Sequence, residues 1–96
     1  MKRDHYEEYV WHMLRHFIRK PESAKTPVDI HNLECVQAVF NQISDYDRTM
    51  IEYIFKSGQA KDNIYAMVKT RGISLTNAWM VVDKVTRAIA KERGLI

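Results

Sequence analysis

Cysteine is almost missing from this chain: Cys35 stands alone among 96 residues. An internal disulfide is therefore excluded, and so is a thiolate metal knuckle, which needs a second sulfur. Glycine and proline are scarce too, at three and two. Gly58, Gly72 and Gly94 stand far apart, so no glycine-rich phosphate loop can be assembled from them. No apolar run approaches the roughly 18 residues that span a bilayer, and the opening MKRDHYEEY carries acids where a signal peptide needs an apolar stretch. A cytoplasmic protein with no membrane partner is expected. Alternating apolar runs bounded by turn dipeptides are also missing, which argues against a sheet.

What remains is a chain with 46% hydrophobic and 28% charged residues, the balance of an ordinary folded domain. Its length allows one small core. Tyr6, Tyr9, Val10, Met13, Leu14 and Phe17 recur at helical spacing until Pro21 intervenes, which predicts a first helix over about 3–19. In TPVDIHNLECVQAVFNQI, Thr26 caps a second helix, Pro27 takes the first helical position, and Ile30, Leu33, Val36, Phe40 and Ile43 make the apolar face. Ser44 or Asp45 caps a third, with Met50, Ile51, Ile54 and Phe55 inward and Gly58 at its end. A short helix opens at Lys61 or Asp62, buries Ile64, Met67 and Val68, and closes at Gly72. Ser74 caps the last, which runs to about Arg93 before Gly94. The expected fold is all-α, about five helices in a single domain over 1–96. Residues 1–25 form an amphipathic helix and linker, and 43–93 form a helix-turn-helix module.

Charge is distributed unevenly. Residues 1–55 hold seven Lys or Arg against nine Asp or Glu, whereas 56–96 hold eight against three, so the second part carries +5 and the first −2. Such asymmetry points the second part toward a polyanion.

On a wheel of the last helix, Leu75, Ala78, Val81, Val82, Val85, Ala88 and Ile89 share one side, with Trp79 at its edge. Thr76, Asn77, Met80, Asp83, Lys84, Arg87 and Lys91 lie opposite. The wet face therefore begins with donors near the helix start and continues with cations along the following turns. That order suits a helix entering the major groove of duplex DNA by its first turns. Thr76, Asn77 and Met80 are the candidate base contacts, with Trp79 beside them. Lys69, Ser74, Lys84, Arg87 and Lys91 are the candidate phosphate contacts. Anchored on Gly72-Ile73-Ser74, the small or apolar positions that a helix-turn-helix turns inward fall on Val68, Ile73, Ala78 and Val81.

From about Ile43 to Arg93, the run ISDYDRTMIEYIF…IYAMVKTRGISLTNAWMVVDKVTRAIAKE resembles the region-4-like helix-turn-helix of sigma factors. It is similar in particular to small phage regulators of the ArpU type. In that pattern a polar cap and "DR" open a helix ending in aromatics, and the helix-turn-helix ends in a basic tail. The resemblance implies a transcriptional regulator or accessory subunit of phage or mobile-element origin, with double-stranded DNA and RNA polymerase as partners. The chain is too short for a complete sigma factor.

Other chemistry is weaker. His5, His12 and His16 share a stripe of the first helix, but His5 lies too far along the axis for one ion, and no Glu follows as in HExxH. Neither metal, cofactor, small-molecule substrate nor catalysis is expected. The first helix poses a different question, because Trp11 and Ile18 extend its apolar arc past half the circumference. Either neighbours in the monomer cover them, or they face a second chain in a homodimer with two recognition helices. The rival to DNA binding is a protein-interaction module that uses Trp11, Ile18, Trp79 and Met80 as its contacts.

Overall fold

Proline sets the first boundaries. In the computed structural model, which describes residues 5–96, helix α1 runs over Glu7–Arg19 and stops short of Pro21, which opens a 3-10 turn at Pro21–Ser23. A proline has no N–H to donate and its ring would meet the preceding turn. The expected start near residue 3 lies outside the described residues. Helix α2, Pro27–Phe40, uses its proline the other way, at the first helical position where no N–H is needed, and Thr26 Oγ1 accepts from the Asp29 N–H at 3.1 Å. Ser44 Oγ caps α3, Asp45–Phe55, by accepting from the Asp47 N–H at 3.1 Å. Helix α4, Ala60–Arg71, begins just before the expected Lys61 and ends at Gly72. Helix α5, Leu75–Arg93, is the longest; Ser74 caps its start and Gly94 its end. The fold is all-α, with five α-helices among the described residues.

Helix α5 touches each of the other four. Its Val82, Val85 and Ile89 meet Val10 and Leu14 from α1, Val36 from α2, Ile51, Ile54 and Phe55 from α3, and Ile64 and Met67 from α4 in one buried cluster. On α2 the buried residues are Cys35, Val36, Val39 and Phe40, whereas Ile30 is exposed and Leu33 half-buried. Apolar residues surround this helix almost evenly, so packing, and not the wheel, selects the inner face.

Of the two alternatives for the wide apolar arc of α1, the structure shows cover within the monomer for Trp11. Trp11 is 5% exposed, edge-on to Phe55 at 5.7 Å between centroids and stacked on Trp79 at 6.4 Å. Its indole Nε1–H donates to Thr86 Oγ1 at 3.1 Å. Ile18 packs against the same core. Within the monomer α1 contacts α2, α3 and α5, which cover Trp11 and half-cover Ile18. Tyr9, at the edge of the apolar arc by spacing, is exposed, and its hydroxyl accepts from Asn32 Nδ2 at 3.1 Å.

The segment after α3 is held from two sides. Arg19 on α1 donates through Nε to the Phe55 carbonyl and through Nη2 to the Gly58 carbonyl, both at 3.0 Å. Asn63 on α4 donates through Nδ2 to the carbonyls of Ile54 at 2.7 Å and Ser57 at 2.6 Å. A helix end leaves its last carbonyls without intrahelical partners, and these two side chains supply donors. Asn63→Ala is expected to cost about 1–3 kcal/mol, since the carbonyls lose a donor that water reaches only in part. Urea denaturation of the variant measures it, and a loss within a few tenths would make Asn63 dispensable.

Candidate nucleic-acid interface

The turn between α4 and α5 is short because Gly72 makes it so. Its φ of 67° lies in the left-handed region, and its N–H donates to the Val68 carbonyl at 3.2 Å, which ends α4 at once. Two residues later Ser74 Oγ accepts from the Asn77 N–H at 3.0 Å and starts α5. Ile73, between them, packs against the core. Ser74 thus has its oxygen committed to the cap, which leaves its hydroxyl proton as the group it could offer a phosphate.

Beyond the cap, α5 shows the two faces the sequence implies. Ala78, Val82, Val85, Ile89 and Ala90 are buried, and Val81 and Ala88 border them. Thr76, Asn77, Asp83, Lys84, Arg87 and Lys91 are exposed, and Met80 is 62% exposed. Lys69 is exposed on α4. At 100° per residue the exposed set fills one continuous sector of the helix.

Trp79 and Thr86 both serve the packing of Trp11. Trp79 is half-buried and stacked on Trp11, so much of its ring is taken up by packing. Thr86 is buried, its hydroxyl serving Trp11. Its place on the apolar stripe was visible on the wheel, but its polar side chain gave no hint of the partner 75 positions away. Leu75, placed on the dry side, is 37% exposed at the helix start.

Electrostatics alter one assignment. Asp47, at the start of α3, accepts a hydrogen bond and ion pair from Lys84 Nζ, and the Asp47 side chain is only 14% exposed against 58% for Lys84. Lys84 therefore carries its own counterion. Arg87 and Lys91 form no ion pair among the described residues. Sequence spacing could not find Asp47, because the pair joins two helices. The same holds for Tyr53 on α3, which has the Lys56 ammonium 4.2 Å and the Arg71 guanidinium 4.9 Å from its ring centre.

The other candidate chemistry is geometrically quiet. His12 and His16 stack at 6.2 Å beside a shallow cleft also lined by Asp29 and Asn32, of about 30 Å³. Among the described residues no three His, Cys, Asp or Glu side chains gather as a metal site. Ser23 Oγ donates to the Lys20 carbonyl at 2.8 Å and lies 2.9 Å from His16 Nε2. With its proton on that carbonyl, Ser23 accepts from His16, the reverse of what an activated nucleophile requires. Cys35 lies 4.0 Å from His31 Nε2, but burial, and next the charge of Glu92, push its thiol above the ordinary range and hold it protonated.

Compared with family models, curated proteins and solved structures, the chain matches none.

Proposed function

We propose that this protein binds double-stranded DNA as a transcriptional regulator or accessory factor, with α4, the Gly72 turn and α5 acting as a helix-turn-helix. The observation that carries the proposal is the exposed sector of α5, in which Thr76, Asn77 and Met80 precede Arg87 and Lys91 on a single helix that a three-residue turn joins to α4. Major-groove helices present base-reading groups in their early turns and hold phosphates with cations around them. In this proposal Asn77 reads a base, Thr76 and Met80 border it, and Lys69, Arg87 and Lys91 neutralise the backbone with Ser74 at the cap. Lys84 contributes less than its exposure suggests, because Asp47 already holds it. The likeness of residues 43–93 to sigma region 4 and to ArpU-type regulators belongs to the same proposal, and with it RNA polymerase as partner and phage or mobile-element origin. The interaction-module alternative is left with Met80 as the one exposed member of its four contacts, since Trp11 is buried and Ile18 and Trp79 are half-buried against the core.

Fluorescence anisotropy with a random duplex, repeated over a series of salt concentrations, tests the proposal. Log affinity should fall linearly with log salt, by about 0.9 for each phosphate neutralised. Absence of binding at low salt would remove the proposal. Within it, Asn77→Ala is expected to cost about 1–3 kcal/mol at one base position of a selected site and little elsewhere, as loss of a bidentate adenine contact does. Comparing the variant on single-base substitutions of that site gives the answer; an equal loss on every duplex would make Asn77 a backbone contact.

A further inference from the structure

Tyr53 brings together two cations that the sequence keeps well apart. Lys56 Nζ lies 4.2 Å and the Arg71 guanidinium carbon 4.9 Å from the centre of its ring. The two charges therefore lie within the roughly 10 Å Debye length of 0.1 M salt, so their repulsion is only partly screened. Among the described residues no carboxylate lies within ion-pair distance of either. Lys56 caps the end of α3 and Arg71 is the last residue of α4, where the helix dipole favours a cation. That accounts for each charge singly. It does not account for both converging on one aromatic ring, where a ring quadrupole partly offsets the repulsion but leaves the net charge in place.

We infer that Lys56, Tyr53 and Arg71 form a phosphate-binding site, in which Arg71 and Lys56 hold the anion and Tyr53 positions them. Arg71 presents a planar fork that matches two phosphate oxygens, and the Tyr53 face fixes the plane of that fork. Lys56 supplies a point charge from the other helix. Arg71 directly precedes Gly72, so the site stands at the entrance to α5. Resting on the DNA-binding proposal, the inference assigns the anion as a backbone phosphate of the bound duplex, held by α3 and α4 while α5 occupies the groove.

The experiment is a nuclear magnetic resonance titration of the whole protein with inorganic tripolyphosphate, followed at the backbone amides of Ser57 and Gly72, which adjoin the two cations and are present in every variant. Saturating shifts at both are expected in the wild type and in Tyr53→Phe, which keeps the ring. They should weaken in Tyr53→Leu and vanish when Lys56→Ala and Arg71→Ala are combined, with thermal melting showing that each variant is folded. In parallel, the combined variant should bind a random duplex with a salt slope flatter by about two. Tripolyphosphate shifts without duplex binding by the wild type would uphold the phosphate site and remove the DNA proposal. Duplex binding with an unchanged slope and no tripolyphosphate shift would overturn the site and leave the DNA proposal standing. Shifts with poly-glutamate but not with tripolyphosphate would also overturn it, in favour of an acidic protein partner.

Discussion

Trp11→Glu combined with Ile18→Lys is expected to yield a chain that does not fold at ordinary temperature. Trp11 lies between Phe55 and Trp79 with its one polar atom bonded to Thr86, and Ile18 borders the same cluster. The glutamate would place a carboxylate among aromatic rings, and the buried Thr86 hydroxyl would lose its donor. A small domain has about 5–15 kcal/mol of stability in total. Truncating a buried tryptophan alone removes about 3–5 kcal/mol, and burying an unpaired charge adds to that. Circular dichroism should show lost helix, and light scattering should show aggregate with no discrete smaller species. A soluble, helical monomer derived from a dimeric wild type would reverse the placement of Trp11 and restore α1 as a contact between chains. Thr86→Val separates the hydrogen bond from the packing. It keeps the shape but leaves the indole N–H unsatisfied, so about 1–3 kcal/mol should be lost with the fold retained.

Reversing Arg87 and Lys91 to glutamate should have the opposite profile, with stability nearly unchanged and duplex binding close to abolished. Both side chains are exposed and neither is part of an ion pair among the described residues, so folding loses little. Each phosphate contact contributes about 0.9 to the salt slope, which makes one contact worth close to tenfold in affinity between molar and tenth-molar salt. Losing two, and adding two like charges against the backbone, should lower affinity by at least about a hundredfold at low salt. Lys84→Ala provides the contrast. Since Asp47 already neutralises Lys84, its loss should flatten the slope by less than one. Asp47→Asn should steepen it by freeing the lysine. If reversal of Arg87 and Lys91 leaves anisotropy curves unchanged, α5 does not meet DNA by this face.

Local chemistry was legible where a single residue decides it. Thr26, Ser44 and Ser74 each accept from the N–H three residues on, and Gly72 and Gly94 take positive φ at the ends of α4 and α5; all five positions were readable from residue type alone. The exposed sector of α5 followed from spacing. The inner face of α2 did not, because Val28, Ile30, Leu33, Val36 and Val39 spread over more than half of the helix and only its neighbours choose among them. Nor did the roles of Arg19, Asn63, Asp47, Thr86 and Tyr53 follow, since each is defined by a partner on another helix. Trp11 shows the limit most clearly. A wide apolar arc says that something covers it, and the covering surface, here α3 and α5, is a tertiary fact.

The bond between Trp11 and Thr86, and the hold of Arg19 on the carbonyls of Phe55 and Gly58, bear on how this chain could be cut or exchanged. Residues 43–93 would leave as a cassette with a greasy slot where the indole had been and a frayed end to α3. The part proposed to face DNA is thus not a portable reading head. Any chimera built from it must carry α1 as well, and a lineage that recombined its modules at the Pro21 turn would have had to replace that helix with another of the same shape.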